Sequence, residues 1–326
     1  MSRPQFGIVA IGRNEGERLR GCLESAIVSA ARVVYVDSGS TDGSVSLACS
    51  AGCEVVELDR SVPYTAARAR NEGFARLRVL APDLRYVQFV DGDCEMAAGW
   101  LASAAEFLDA HPAVAAVCGR RRERHPGRSI YNFLCDIDWD RPIGETSACG
   151  GDAMIRTDAL VAVNGYRPSL IAGEDPELCV RLRAAGWRIW RLDKEMTLHD
   201  AAMMRFAQWW KRSVRTGYAY AQGAHLHGAP PERHCVRESR SAWLWGLGLP
   251  LAILGFTAWW GPAALSLLLA YPLQVARIAV RGGRSARDNC WHAIFLVIGK
   301  FPETIGQLKF LAHRHFGGKS RLIEYK

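Results

Sequence analysis

Short apolar runs alternate with stretches of helical periodicity through the first 120 residues. Phe6–Ile11 is an apolar run with β-branched residues, and Glu17–Ser29 follows with Leu19, Cys22, Leu23, Ala26 and Ile27 at helical spacing. Arg32–Val36 reads as a second buried strand, stopped by the Ser-, Gly- and Asp-rich stretch Asp37–Gly43. Ser44–Ser50, Tyr64–Leu80 and Trp100–Asp109 read as helices, and Glu54–Leu58, Tyr86–Val90 and Val114–Cys118 as strands. Strands separated by helices predict an α/β fold, a mostly parallel sheet flanked by helices. Such sheets bind ligands at the carboxyl ends of their strands. Arg120–Arg124 with Arg128 reads as a solvated basic loop. After Gly150-Gly151 come a short strand, a helix at Thr157–Val163, and a helix from Pro176 to Ala185 that starts just after Glu174-Asp175.

The pattern changes completely in the tail. Ser241–Ala276 is a run of 36 residues without a charge, more than the roughly 20 that one membrane span needs. Gly261-Pro262 divides it near the middle. Arg233, Arg237 and Arg240 precede it and Arg277, Arg281, Arg284 and Arg287 follow it, which puts both ends on the cytoplasmic side. Trp243, Trp245, Trp259, Trp260 and Tyr271 gather toward the ends, as interfacial aromatics do. A membrane-associated helical hairpin at about 241–276 is expected, with an interfacial helix at about 289–312 followed by His313, Arg314 and Lys319. Residues 205–240 read as a basic amphipathic connector and 1–204 as the catalytic domain. The expected location is the cytoplasmic face of the cell inner membrane.

Charge sharpens this division. Net charge is −4 over residues 1–200 and +12 over residues 201–326. A nucleic-acid binder of uniformly basic character is excluded, and an acidic half beside a half that lies near something anionic is expected. The 10 cysteines are scattered from Cys22 to Cys290 with no CxxC pair, which favours reduced thiols over a disulfide framework or a zinc site. Phe6–Ile11 is too short for the apolar region of a signal peptide.

Carboxylates stand where the predicted strands end. Asp91-Gly92-Asp93 follows Tyr86–Val90, and two carboxylates one residue apart at a strand's end suit Mg²⁺ or Mn²⁺ held jointly with a diphosphate. Asp37 ends the second strand, where an acidic residue can accept bonds from a ribose or base; Ser40 to Asp42 beyond it can equally turn the chain and cap the next helix. Arg68 and Arg70 lie on a predicted helix, where one arginine could reach phosphate. Glu174-Asp175 offers either helix-capping carboxylates or a general base facing an acceptor hydroxyl. His199 closes an apolar strand-like run and could add an imidazole ligand to the metal.

In this order the segments resemble the inverting, GT-A-fold family 2 glycosyltransferases. The resemblance runs from about Phe6 to His199: Arg13-Asn14-Glu15 after the first strand, VDSGSTDGS at 36–44, ARNEGF at 69–74, DGD at 91–93 and GED at 173–175. It implies a nucleotide-sugar donor, with Asp37 on the base, Asp91 on the ribose side, Arg70 in the donor site and Asp93 on the metal. It also implies Asp175 as catalytic base, with Gly151 and Glu174 on the acceptor side. Three departures stand out: Ile11-Gly12-Arg13 replaces the usual Pro-Thr-Tyr, Ser38 replaces the second acid of VDDGS, and the Gln-x-x-Arg-Trp signature of processive synthases is absent. The last implies transfer of one sugar followed by release. Arg212 and Arg215, with Arg205 and Lys211, stand between the catalytic domain and the uncharged run, where they could hold a lipid-linked diphosphate acceptor. Two other classes remain: a nucleotidyltransferase, and a catalytically inactive membrane-bound nucleotide-sugar binding module.

Overall fold

The computed structural model describes residues 6–28 and 32–317. The chain divides into two compact units, Met1–Met204 and Arg205–Lys326.

Unit 1 is built on a nine-stranded mixed sheet. The strands are β1 (Phe6–Gly12), β2 (Arg32–Asp37), β3 (Glu54–Glu57), β4 (Tyr86–Asp91), β5 (Cys94–Met96), β6 (Val114–Glu123), β7 (Gly144–Glu145), β8 (Ala153–Arg156) and β9 (Arg188–His199). Their order is β3-β2-β1-β4-β8-β6-β9-β5, with β7 also paired to β9. Strands β1 to β4, β6 and β9 run one way. The short β5, β7 and β8 run against them, so the parallel lattice is interrupted by β8 between β4 and β6. The helices are α1 (Glu17–Ile27), α2 (Ser44–Ser50), α3 (Ala66–Leu80), α4 (Trp100–Ala110), α5 (Ile130–Trp139), α6 (Thr157–Ala162) and α7 (Glu174–Ala184).

Ile8, Val9 and Ala10 of β1 and Val34, Tyr35 and Val36 of β2 are fully buried. Continuous apolar strands of this kind belong to sheets covered on both faces. Gly73 lets α3 lie directly on them: a Cβ there would collide with Val9 and Val36. Because six strands share a direction, Gly12, Asp37, Asp91, Glu123 and His199 all end strands at the same edge.

Two sequence-based expectations change in unit 1. Arg120–Arg124 is not a solvated loop, because β6 continues through Glu123 along β9. Its charged residues hid the strand. Glu174 and Asp175 do not precede α7 but are its first residues, after Gly173 in the left-handed conformation at φ 78°.

Unit 2 is helical: α8 (Phe206–His227), α9 (Val236–Trp243), α10 (Leu249–Trp260), α11 (Ala270–Val280), α12 (Ala286–Ile298) and α13 (Lys300–Phe316). Residues 205–240, expected as a connector, supply α8, which crosses α13 at very close range. A Cβ on Gly217 would meet the backbone of Glu303, and one on Gly306 the backbone of Val214. A π-helical turn, Leu244–Gly248, joins α9 to α10. Val236–Trp260 is therefore one rod of 25 residues, and Pro262–Val280 a second of 19. At 1.5 Å per residue the first is about 37 Å long, and the second, whose first eight residues are a 3-10 helix rising about 2 Å each, is about 32 Å, enough by length and composition to cross a hydrocarbon layer of about 30 Å. They meet at Gly261, whose φ of 81° reverses the chain. Tyr271 donates to the carbonyl of Trp245 at 2.8 Å, so the second rod folds back on the first. Leu254, Leu273 and Trp259 stay 67%, 68% and 83% exposed. The segment 289–312, expected as one interfacial helix, is divided between α12 and α13 by Gly299. Lys319 lies outside the described residues.

Candidate active site

Arg70 organises the strand-end edge of unit 1. It sits on α3, capped by the Thr65 hydroxyl, and only 2% of its side chain is exposed. Its guanidinium reaches Asp91 Oδ1 at 2.9 Å, Glu174 Oε1 at 2.7 Å and Asp175 Oδ1 at 3.2 Å. Three carboxylates from two segments far apart in sequence thus converge on one cation. Gly151 lies against the same group, since a Cβ there would collide with Arg70 Nη2 and stand 3.2 Å from Asp91 Oδ2.

The two acids respond oppositely. Burial works against ionisation of Asp91, but Arg70 and Arg121 outweigh it and hold the carboxyl below its usual range. Burial pushes Asp175 well above that range, and repulsion from Glu174 and Asp91 adds to this, while Arg70 opposes it. Asp175 Oδ1 accepts no hydrogen bond. A half-buried carboxylate with a raised pKa and spare acceptor capacity is suited to take a proton.

Three neighbours escaped the sequence reading. Arg121, on β6, reaches Asp91 Oδ2 at 3.2 Å and Asp152 Oδ2 at 3.5 Å, and lies over the Trp139 ring. Asp152 accepts from the Asp91 amide at 3.1 Å and from the Thr197 hydroxyl at 2.7 Å. Glu123 accepts from the amides of His125 and Ala201 and from Asn132. The period of two on β6, with Arg121 and Glu123 inward and Arg122 outward, was the available signal.

Asp93 and His199 meet at the end of β9. His199 Nε2 stands 3.3 Å from Asp93 Oδ2, and its Nδ1 stands 3.4 Å from Glu123 Oε2. Asp93 is 5% exposed and His199 6%. One carboxylate oxygen and one imidazole nitrogen, with the second ring nitrogen beside a carboxylate, fit a divalent cation and its supporting shell. Cys94 joins this cluster, but burial raises its pKa and keeps it a neutral thiol, a poor ligand for a hard ion. Replacing Glu123 by Gln is expected to weaken Mn²⁺ binding by about 10–100-fold, read by metal titration; unchanged affinity would remove the metal from this pair.

Asp37 is fully engaged by its own loop. Its oxygens accept from the Tyr35 and Ser40 hydroxyls and from the amides of Gly39 and Ser40, which occupies a carboxylate's four acceptor positions. In this conformation it shapes the loop. Asn14 clamps that loop to the end of β1, accepting from the Thr41 amide at 2.7 Å. Arg68, the other candidate on α3, donates instead to the carbonyls of Asp59 and Val62. Arg212 and Arg215 belong to α8 of unit 2.

Residues 8–158 match the sequence model described as Glycosyl transferase family 2. A mannosyltransferase from Pyrobaculum calidifontis, solved with GDP-Man and Mn²⁺, superposes with a TM-score of 0.60 at 19% identity, over 95% of this chain and 88% of that one. Residues 1–349 of S. aureus TarS, solved with UDP-GlcNAc, superpose with a TM-score of 0.53 at 15% identity, over 95% and 92%. At these identities the likeness establishes the GT-A fold. No curated protein matches the chain in sequence.

Proposed function

Residues 8–158 match the Glycosyl transferase family 2 model, and from that match we propose a single-sugar transfer from a nucleotide-diphosphate sugar, a UDP-sugar, to a hydroxyl of a lipid-linked saccharide or other membrane lipid. The observation that carries this reading is the convergence of Asp91, Glu174 and Asp175 on Arg70. It unites a donor-side acid with a carboxylate whose pKa is raised.

The displacement is in line and inverts the anomeric carbon. Asp175 takes the proton of the acceptor hydroxyl as its oxygen attacks, the bond from the anomeric carbon to the diphosphate oxygen breaks, and the nucleoside diphosphate leaves. Arg70 holds the base in place and limits the rise of its pKa. Asp91 and the loop shaped by Asp37 receive the nucleoside, and Gly151 leaves room for Arg70 beside Asp91. Mg²⁺ or Mn²⁺ held by Asp93 and His199 would supply positive charge for the departing diphosphate. Both structural relatives were solved with nucleotide-sugar donors. The test is a panel of nucleotide sugars assayed for acceptor-dependent release of nucleoside diphosphate. Turnover of at least one, lost in excess chelator, supports the reading, and failure to bind or turn over any of them contradicts it.

The lipid acceptor is supported by unit 2, with its two exposed apolar rods and the net charge of +12 over residues 201–326. Membrane association at the cytoplasmic face follows from the arginines that flank the rods, and a role in building a surface polysaccharide or glycolipid follows from such an acceptor. Arg212 and Arg215 would grip its phosphates. Replacing both by Ala is expected to cut transfer to a lipid-diphosphate acceptor sharply in detergent, with donor hydrolysis spared. Normal transfer in detergent with loss only of liposome binding, about 1 kcal/mol per charge, would restrict these residues to the membrane surface.

A further inference from the structure

Beside the carboxylate cluster, unit 1 has a partly open cavity of about 220 Å³. Its wall includes Arg121, Trp139, Arg141, Cys149, Asp152 and Arg191. Arg121 and Asp152 tie it to the site, because both contact Asp91. Cys149 ties it to the base, because its Sγ lies 3.5 Å from that of Cys179, one turn along α7 from Asp175. The cavity therefore adjoins Asp91 and the helix that carries Asp175.

Its charge is unbalanced. Arg121 is neutralised by Asp91 and Asp152. Arg141 and Arg191 instead donate to backbone carbonyls, Arg141 Nε to Asp138 at 2.7 Å and Arg191 Nη1 to Gly119 at 2.5 Å. Arg191 Nε is buried and makes no hydrogen bond, an unfavourable state that a ligand would relieve. Two arginines fixed by carbonyls make a receptor for a carboxylate or phosphate, which a guanidinium can bind through two parallel hydrogen bonds. Asp138 stands on the same wall and repels an anion near it, which favours the Arg191 end. The indole of Trp139 offers apolar surface for the C–H face of a sugar ring.

We infer that this cavity binds an acidic sugar unit of the acceptor, a uronate or a sugar phosphate, through Arg191 and Arg141. The inference rests on the glycosyltransferase reading and narrows its acceptor. It is tested by titrating the full chain in detergent with methyl glucuronide, glucose 6-phosphate and methyl glucoside, followed by ligand NMR, with UDP and GDP binding measured in parallel. At least one acidic sugar should bind about 10–100-fold tighter than the neutral glucoside, and which one does so separates carboxylate from phosphate. Arg191→Gln and the exposed-site variant Arg141→Gln should each reduce that preference and leave nucleotide binding as it was. Equal binding of the three sugars, or a preference that survives both variants, overturns the inference while nucleotide binding persists. Absence of any nucleotide binding overturns the glycosyltransferase reading itself.

Discussion

Asp175→Asn is expected to lower turnover by about 10²–10⁴-fold, the usual contribution of a general base, while nucleotide-sugar affinity stays within a few fold. The isosteric amide keeps the side chain's volume near Arg70 and removes the negative charge with the ability to accept a proton. Burial is what would suit this carboxylate to act as base: it raises the pKa well above the ordinary value, nearer the working pH where proton transfer is favourable. The base must be ionised to act, so kcat/KM of the wild type should fall with decreasing pH through that raised pKa. The acidic limb should lie above the ordinary carboxylate range and vanish in Asp175→Asn. Full turnover in the variant with normal donor binding would sink the assignment.

The second large effect is expected at Arg70. Three carboxylates converge on this buried cation, so Arg70→Met leaves charges buried without compensation. Breaking a buried pair from one side costs about 3–5 kcal/mol, and a fall in melting temperature of the whole chain should report it. The loss should depend on pH, with a definite sign. Without Arg70, which lowers the pKa of Asp91 and of Asp175, burial raises both in the folded state, so the folded protein keeps protons that the unfolded chain releases above about pH 4. Stability of the variant relative to wild type should therefore worsen as pH rises from that value and recover as pH falls toward it. A pH-independent deficit would show that Arg70 acts by packing alone.

Much of this site was legible in the sequence because its acids sit at strand ends and helix starts. Asp37, Asp91 and Asp93 follow apolar runs that could only be buried strands, and Glu174-Asp175 follows a glycine at a helix start. What could not be read was the partnering. Nothing local says that Arg70, rather than Arg68, is the buried cation; both lie on one helix, and only the packing of α3 on β1 and β2 through Gly73 decides. Arg121 and Glu123 were hidden because three consecutive arginines outweigh strand propensity, which yields to context, and because β6 pairs with β9 through register shifts. The antiparallel insertion of β8 was invisible for a related reason. A strand of four residues carries no signal of direction, and its placement is set by long-range pairing with β4 and β6.

In the tail, length, hydropathy and flanking arginines were enough to mark the two rods, since those signals are summed over many residues. The packing of α8 on α13 was not marked, because it depends on Gly217 and Gly306 meeting across the helices, and an isolated glycine in a helical pattern does not announce its partner.

The stereochemistry of the transferred sugar is the most direct test of the mechanism. With Asp175 as base and a single in-line displacement, an α-linked nucleotide sugar must yield a β-linked product, read from the anomeric couplings of the glycoside by NMR. An inverted linkage is the predicted result. A retained α linkage would mean that the bond is broken by another route, and it would contradict the proposed roles of Asp175 and Arg70.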